Sequence, residues 1–197
     1  MKYDREEIDN RFFNTMQEIS EQVLENREII ELEDILEIIN MILEIHKKKN
    51  RVFVYGAGRS GFIGRCFAQR LMHLGIKSCF VSDAVTHQYN KSDLLIIISG
   101  SGETTSPVAI AKKAAKIGGK IALLTGNPDS TIGNLADCNI KVQGKSKDVA
   151  ISQETLAPYT SLFDISTLSI LDSIGGVLMQ ILGVTEDDID KRHATIE

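Results

Sequence analysis

The chain lacks tryptophan, has no excess of positive charge and carries only three cysteines. Each shortage removes a class of function. Cys66, Cys79 and Cys138 are odd in number, and no two have the spacing of metal ligands, so they read as buried free thiols in a reducing compartment. The formal net charge is −5 and no basic stripe is present. Nucleic acid is therefore not an expected partner. The one basic run, His46-Lys47-Lys48-Lys49, falls where a helix ends and complements its dipole. No uninterrupted apolar run reaches about 18 residues, so no membrane span is expected. The opening Met1-Lys2-Tyr3-Asp4-Arg5-Glu6-Glu7 is charged and has no apolar core, unlike a secretory signal. A cytosolic protein is expected.

What the chain does hold is a globular balance: 197 residues, 43% hydrophobic and 25% charged, enough for one domain with a sizeable core. Residues 1–50 read as a hairpin of two amphipathic helices. Ile8, Phe12, Met16, Ile19 and Val23 recur at steps of three or four in the first, and Leu32, Ile35, Leu36, Ile39, Ile42 and Leu43 in the second. From residue 51 the period changes. Five short β-leaning runs follow at 52–55, 78–81, 94–98, 121–124 and 139–142. The third, Leu94-Leu95-Ile96-Ile97-Ile98, is apolar throughout, as a central parallel strand must be. Helical stretches at 61–74 and 107–117 separate several of the runs, which predicts an α/β fold with a doubly wound parallel sheet. Residues 143–154 have no clear period and read as a long loop. A helix at 160–182 is apolar on several faces and is expected to be central or covered by another subunit. Gly183 closes it, and Thr185 with Asp188 caps a short last helix carrying Lys191, Arg192 and His193. No linker divides residues 1–197 into two domains.

Two glycine-rich loops follow two of the predicted strands: Gly56-Ala57-Gly58-Arg59-Ser60-Gly61 and Ser99-Gly100-Ser101-Gly102-Glu103-Thr104-Thr105-Ser106. Glycine lets backbone approach an anion closely, and a helix that starts there points its N–H groups at it. The second loop adds five hydroxyls, which donate to phosphate oxygens without bringing charge. The first loop also fits G-x-G-x-x-G, with Asp83 at about the distance of a ribose-binding acid. Against a dinucleotide stand the bulky Arg59 inside the loop, the two helices before the first strand, and the better anion cradle offered by the second loop.

Ser99-Gly100-Ser101-Gly102-Glu103-Thr104 resembles the phosphate loop of SIS-domain proteins. Gly58-Arg59-Ser60-Gly61-Phe62-Ile63-Gly64-Arg65, Arg70-Leu71-Met72-His73-Leu74-Gly75 and Lys191-Arg192-His193-Ala194 are similar to 6-phospho-3-hexuloisomerases. The resemblance implies a three-layer α-β-α sandwich, flavodoxin-like, with a five-stranded parallel sheet, assembled as a homotetramer or homodimer. It implies interconversion of 3-hexulose 6-phosphate and fructose 6-phosphate through an enediol, with no cofactor and no metal. Ser60, Ser99, Ser101 and Thr104 are implied to hold the phosphate, with Gly58, Arg59, Gly100 and Gly102 beside them. Arg59 either binds phosphate or pairs with an acid across subunits. The family commonly reads Pro-Met-Gly-Ser/Thr-x-Phe-Glu where this chain has Pro158-Tyr159-Thr160-Ser161-Leu162-Phe163-Asp164, and Thr-Pro where it has Thr86-His87.

Asp164, Glu154 and Glu103 are the candidate bases, His193 the candidate proton shuttle, and Thr86 with His87 the candidate sugar pocket. His73 reads as a helical histidine. Related activities on arabinose 5-phosphate or sedoheptulose 7-phosphate, and a non-catalytic sugar-phosphate module, are the alternatives.

Overall fold

The computed structural model describes residues 4–144 and 155–196. Five strands form one parallel sheet: β1 (Val52–Gly56), β2 (Ser78–Phe80), β3 (Leu94–Ile98), β4 (Lys120–Thr125) and β5 (Cys138–Lys141), in the order β2-β1-β3-β4-β5. The helices are α1 (Arg5–Arg27), α2 (Leu32–Lys47), α3 (Arg59–His73), α4 (Thr105–Ile117), α5 (Ser161–Leu182) and α6 (Glu186–Asp190). The expected flavodoxin-like α/β architecture is present.

Side chains alternate across the strands as the pleat requires. Val52, Val54, Leu94, Ile96, Ile98, Leu124 and Ile140 point to one face, where α2, α3 and α5 pack. Phe53, Leu95, Ile97, Ile121 and Leu123 point to the other, beneath α4. All five β3 residues are buried, each contributing about 1.5–3 kcal/mol of hydrophobic stabilisation. The covering of the second face is lighter because no helix joins β2 to β3. Residues 81–93 double back across that face instead, pinned by Tyr89, whose ring meets Phe53 edge-on at 5.1 Å and whose hydroxyl donates to the Lys120 carbonyl at 3.1 Å.

α1 lies outside this core. Its Asn26 is buried and exchanges two hydrogen bonds with the Gln143 backbone, 2.7 and 2.8 Å. Its Glu18 accepts from the backbone N–H groups of Leu156 and Ala157, and Arg11 donates to the Leu156 carbonyl at 2.8 Å. The apolar stripe expected on α1 faces outward over its first half, where Ile8, Phe12 and Met16 are each more than half exposed, while Ile19 and Val23 are half-buried. α5 is long and apolar enough to cross a bilayer by length and composition. Here it packs on α3 and α1, leaving Val177 and Ile181 partly exposed.

Three expectations are corrected. Cys66 is exposed, because it sits on the outward side of α3; Cys79 is half-buried and Cys138 buried, and all three are free thiols. The last helix ends at Asp190, so Lys191, Arg192 and His193 follow it; its Thr185–Asp188 capping box is formed, but only five residues are helical. α3 begins at Arg59, two residues earlier than its pattern suggested, so Arg59 and Ser60 belong to its first turn.

Candidate active site

β1 and β3 are neighbours, yet α3 leaves toward one face and α4 toward the other. The crevice between their diverging loops is the switch point where open α/β sheets bind ligands. Three helices begin there. α3 has Gly58 as N-cap (φ 57°, ψ −130°), α4 has Thr104 and α5 has Thr160, and none of these caps accepts a first-turn backbone N–H on its side chain. First-turn N–H groups left without a cap are the natural receptors of an anion.

The second loop is shaped from within. Buried Ser99 accepts the Gly102 N–H on its hydroxyl at 3.2 Å. Gly102 has φ 66°, and a Cβ there would lie 1.9 Å from Ser130 Oγ, so no other residue fits. The Gly100 carbonyl is held by the Gly126 N–H at 2.9 Å and the Thr125 hydroxyl at 3.2 Å.

The loops and the start of α5 enclose a cleft of about 330 Å³. Gly58, Arg59, Ser60, Gly100, Ser101 and Thr104 line it, as the sequence leads one to expect. Ser99 and Gly102 do not; they build the loop rather than its surface. Behind this wall stands Asp164, 1% exposed and bonded to three of the lining side chains. Its Oδ1 accepts from Ser60 Oγ at 3.1 Å, and its Oδ2 from Arg59 Nε at 2.9 Å and Thr160 Oγ1 at 2.8 Å. A buried carboxylate needs such partners, and three of its roughly four acceptor sites are taken. The Arg59 side chain itself stays 61% exposed toward the cleft.

The other candidates are scattered. Glu103 does not line the cleft. Its Oε1 accepts the Thr131 N–H at 2.5 Å, and that bond holds its carboxyl below the ordinary glutamate range. Thr86 and His87 line a separate, largely apolar cavity of about 500 Å³ between residues 81–89 and α4, because the β2–β3 connection turns back over the second face of the sheet. The sugar pocket expected from them is not in the cleft. His193 stacks on His73 with ring centroids 4.2 Å apart. His73 ends α3 and Ser60 begins it, which separates them by about 20 Å of helix. Glu154 lies outside the described residues. Among the described residues no group of three His, Cys, Asp or Glu side chains is placed to hold a metal ion.

Ala57, Tyr159, Thr160 and Phe163 also line the cleft and were not singled out from the sequence. A signal for Thr160 existed: it stands four residues before Asp164, one helical turn, where the related pattern has Gly. Its φ of 67° explains that glycine. A β-branched residue in this region costs roughly 1–3 kcal/mol, offset here by the bond to Asp164.

Known proteins place this geometry. Residues 44–165 match the SIS domain family. The 3-hexulose-6-phosphate isomerase of Methanocaldococcus jannaschii is 39% identical over 149 residues, covering 76% of this chain and 78% of that one. The Bacillus subtilis 3-hexulose-6-phosphate isomerase is 36% identical over 181 residues, 91% of this chain and 96% of that one. A crystal structure from Methanococcus jannaschii, for which 3-hexulose-6-phosphate isomerase function has been inferred, superposes with a TM-score of 0.79 at 34% identity, over 92% of this chain and 98% of that one. With its two glycine-rich loops at the switch point of a five-stranded parallel sheet, this chain belongs to the SIS-domain family, among the relatives of the 3-hexulose-6-phosphate isomerases.

Proposed function

We propose that the protein is a cytosolic sugar-phosphate isomerase that interconverts 3-hexulose 6-phosphate and fructose 6-phosphate. The observation that carries this reading is the convergence of three uncapped helix N-termini, two glycine-rich loops and the Ser60, Ser101 and Thr104 side chains on one cleft. Hydroxyls and backbone amides suit a phosphoryl group bound reversibly by a chain whose overall charge does not attract it. Among the described residues Arg59 adds the one cation to the lining, and because Nε takes the bond to Asp164, its terminal nitrogens are the groups left to meet an anion.

Moving the carbonyl from C3 to C2 requires removing the C2 proton, passing through the enediol, and returning a proton to C3 while the C2 hydroxyl gives up its own. The balance is internal to the substrate, and general acid–base groups are each worth roughly 10²–10⁴ in rate. Asp164 meets the cleft through the lining side chains it holds, Ser60, Arg59 and Thr160. Its three hydrogen bonds favour a role in positioning Ser60 and Arg59 over proton abstraction. The outward stripe of α1 and the exposed Val177 and Ile181 of α5 support a homo-oligomer, since apolar patches of this kind mark association surfaces.

The test is a coupled assay for fructose 6-phosphate formed from 3-hexulose 6-phosphate. Turnover supports the reading. Turnover on arabinose 5-phosphate or sedoheptulose 7-phosphate alone replaces the substrate but keeps the class. Tight sugar-phosphate binding without turnover on any of them makes the protein a binding module.

A further inference from the structure

Pro158, Tyr159, Thr160 and Ser161 form a tight turn at the mouth of the cleft. The Ser161 N–H donates to the Pro158 carbonyl at 3.0 Å, and Thr160 in the third position has φ 67° and ψ −8°, the geometry of a type II turn. That position favours glycine or asparagine because φ is positive. Threonine is an expensive occupant, and what it supplies that glycine lacks is a hydroxyl, here bonded to Asp164 at 2.8 Å. The approach to the turn is fixed as well, by Glu18 and Arg11 of α1 on the backbone of Leu156 and Ala157. The corner is held from both sides.

Tyr159 occupies the corner itself. A phosphoryl group has the bulk of roughly two to three water molecules, at about 30 Å³ each. Most of the cleft therefore remains for the rest of the ligand. Apart from the two phosphate loops, Tyr159, Thr160 and Phe163 wall it. Phe163 is buried and the Thr160 hydroxyl is committed to Asp164. Tyr159, 50% exposed, is the one of the three that combines an open aromatic surface with a polar tip.

We propose that Tyr159 is the specificity-determining residue of the cleft, meeting the polyhydroxylated chain beyond the phosphate, and that Thr160 is the positioning residue that fixes it there. The ring covers C–H surface of the sugar and the phenol shares a hydrogen bond with one of its hydroxyls. This rests on the phosphate-binding reading above and goes beyond it by naming what selects the sugar.

The experiment is calorimetric titration of the full chain with inorganic phosphate and with fructose 6-phosphate. In Tyr159→Ala the Kd for fructose 6-phosphate rises about tenfold, or about 1.4 kcal/mol, while that for phosphate stays within twofold. Tyr159→Phe, which keeps the ring, gives about a threefold rise. Thr160→Gly shifts the sugar-to-phosphate affinity ratio in the same direction, and Thr160→Ser restores it. Equal weakening of both ligands in Tyr159→Ala and Tyr159→Phe, or no change in either, overturns the proposal and leaves the phosphate cleft standing. A wild-type chain that binds neither ligand overturns the phosphate reading, and this proposal with it.

Discussion

Ser60 Oγ lies 3.1 Å from Asp164 Oδ1, so the first turns of α3 and α5 share one buried carboxylate. Asp164→Asn replaces one acceptor oxygen by an NH₂ that opposes the Arg59 and Thr160 donors. Hydrogen bonds to a charged group are worth about 1.5–3 kcal/mol. The expected outcome is a KM raised at least tenfold, a smaller fall in kcat and a lower melting temperature. A kcat reduced a hundredfold at unchanged KM makes Asp164 the base instead.

Ser101→Ala and Thr104→Val each remove one hydroxyl from the cleft wall, and Ser60→Ala, which removes the hydroxyl donating to Asp164, loosens the Arg59–Asp164 anchor behind that wall. By the same magnitude, each weakens inorganic phosphate binding by roughly ten- to a hundredfold. Ser99→Ala acts differently. Its hydroxyl serves the Gly102 N–H inside the loop, so it lowers stability by about 1 kcal/mol as well as affinity. Thermal melting beside titration separates the two patterns.

Glu103 titrates as an anchor. Its carboxyl is held below the ordinary value of 4.5 by the Thr131 N–H, then by the Thr131 hydroxyl. A depressed folded pKa stabilises the fold above the unfolded value, and that contribution is lost as pH falls through the folded one. Denaturant unfolding of wild type and Glu103→Gln is expected to differ at pH 7 and to converge as pH falls through the depressed folded pKa, below the ordinary glutamate value. The kcat of Glu103→Gln stays within a few-fold of wild type, since the side chain does not line the cleft.

The three thiols separate by exposure. Burial pushes the Cys138 thiol up to about 12 and raises that of Cys79, whereas Cys66 is exposed. Alkylation of the native protein at pH 8 is expected to mark Cys66 first and Cys138 only on unfolding. Mass spectrometry of timed samples checks the order.

His193 packs on His73 at the far end of α3 from Ser60. His193→Ala is therefore expected to leave phosphate affinity within twofold while lowering the melting temperature. If it also reduces kcat, a mixed assembly of His193→Ala with Ser60→Ala chains distinguishes service to a neighbouring copy, which restores activity, from a purely internal role, which does not.

The strands were legible because five β-leaning runs, one of them wholly apolar, fit only a sheet covered on both faces. The two loops were legible because glycine and serine clusters after strands have a direct physical use. Three things were not. Which way residues 81–93 turn depends on which face of the sheet lacks a helix, and nothing local to Thr86 or His87 records that. The inward aim of Ser99 follows from its bond to the Gly102 N–H three residues on, in a loop pressed against Ser130, which is distant in sequence and near in space. The outward face of α1 has the same period as a buried one; only the position of α5 decides which side is covered.

That same α1 does more than decorate the sheet. Asn26 grips the backbone at Gln143, and Glu18, eight positions away and so about 12 Å along the axis, grips it again at Leu156 and Ala157. One helix thus holds Gln143 and the Leu156–Ala157 backbone ahead of Tyr159 at a fixed separation. Any change that slides or lifts that helix alters both moorings together, so a substitution at residue 18 or 26, remote from the sugar phosphate in sequence, is felt at the entrance to α5.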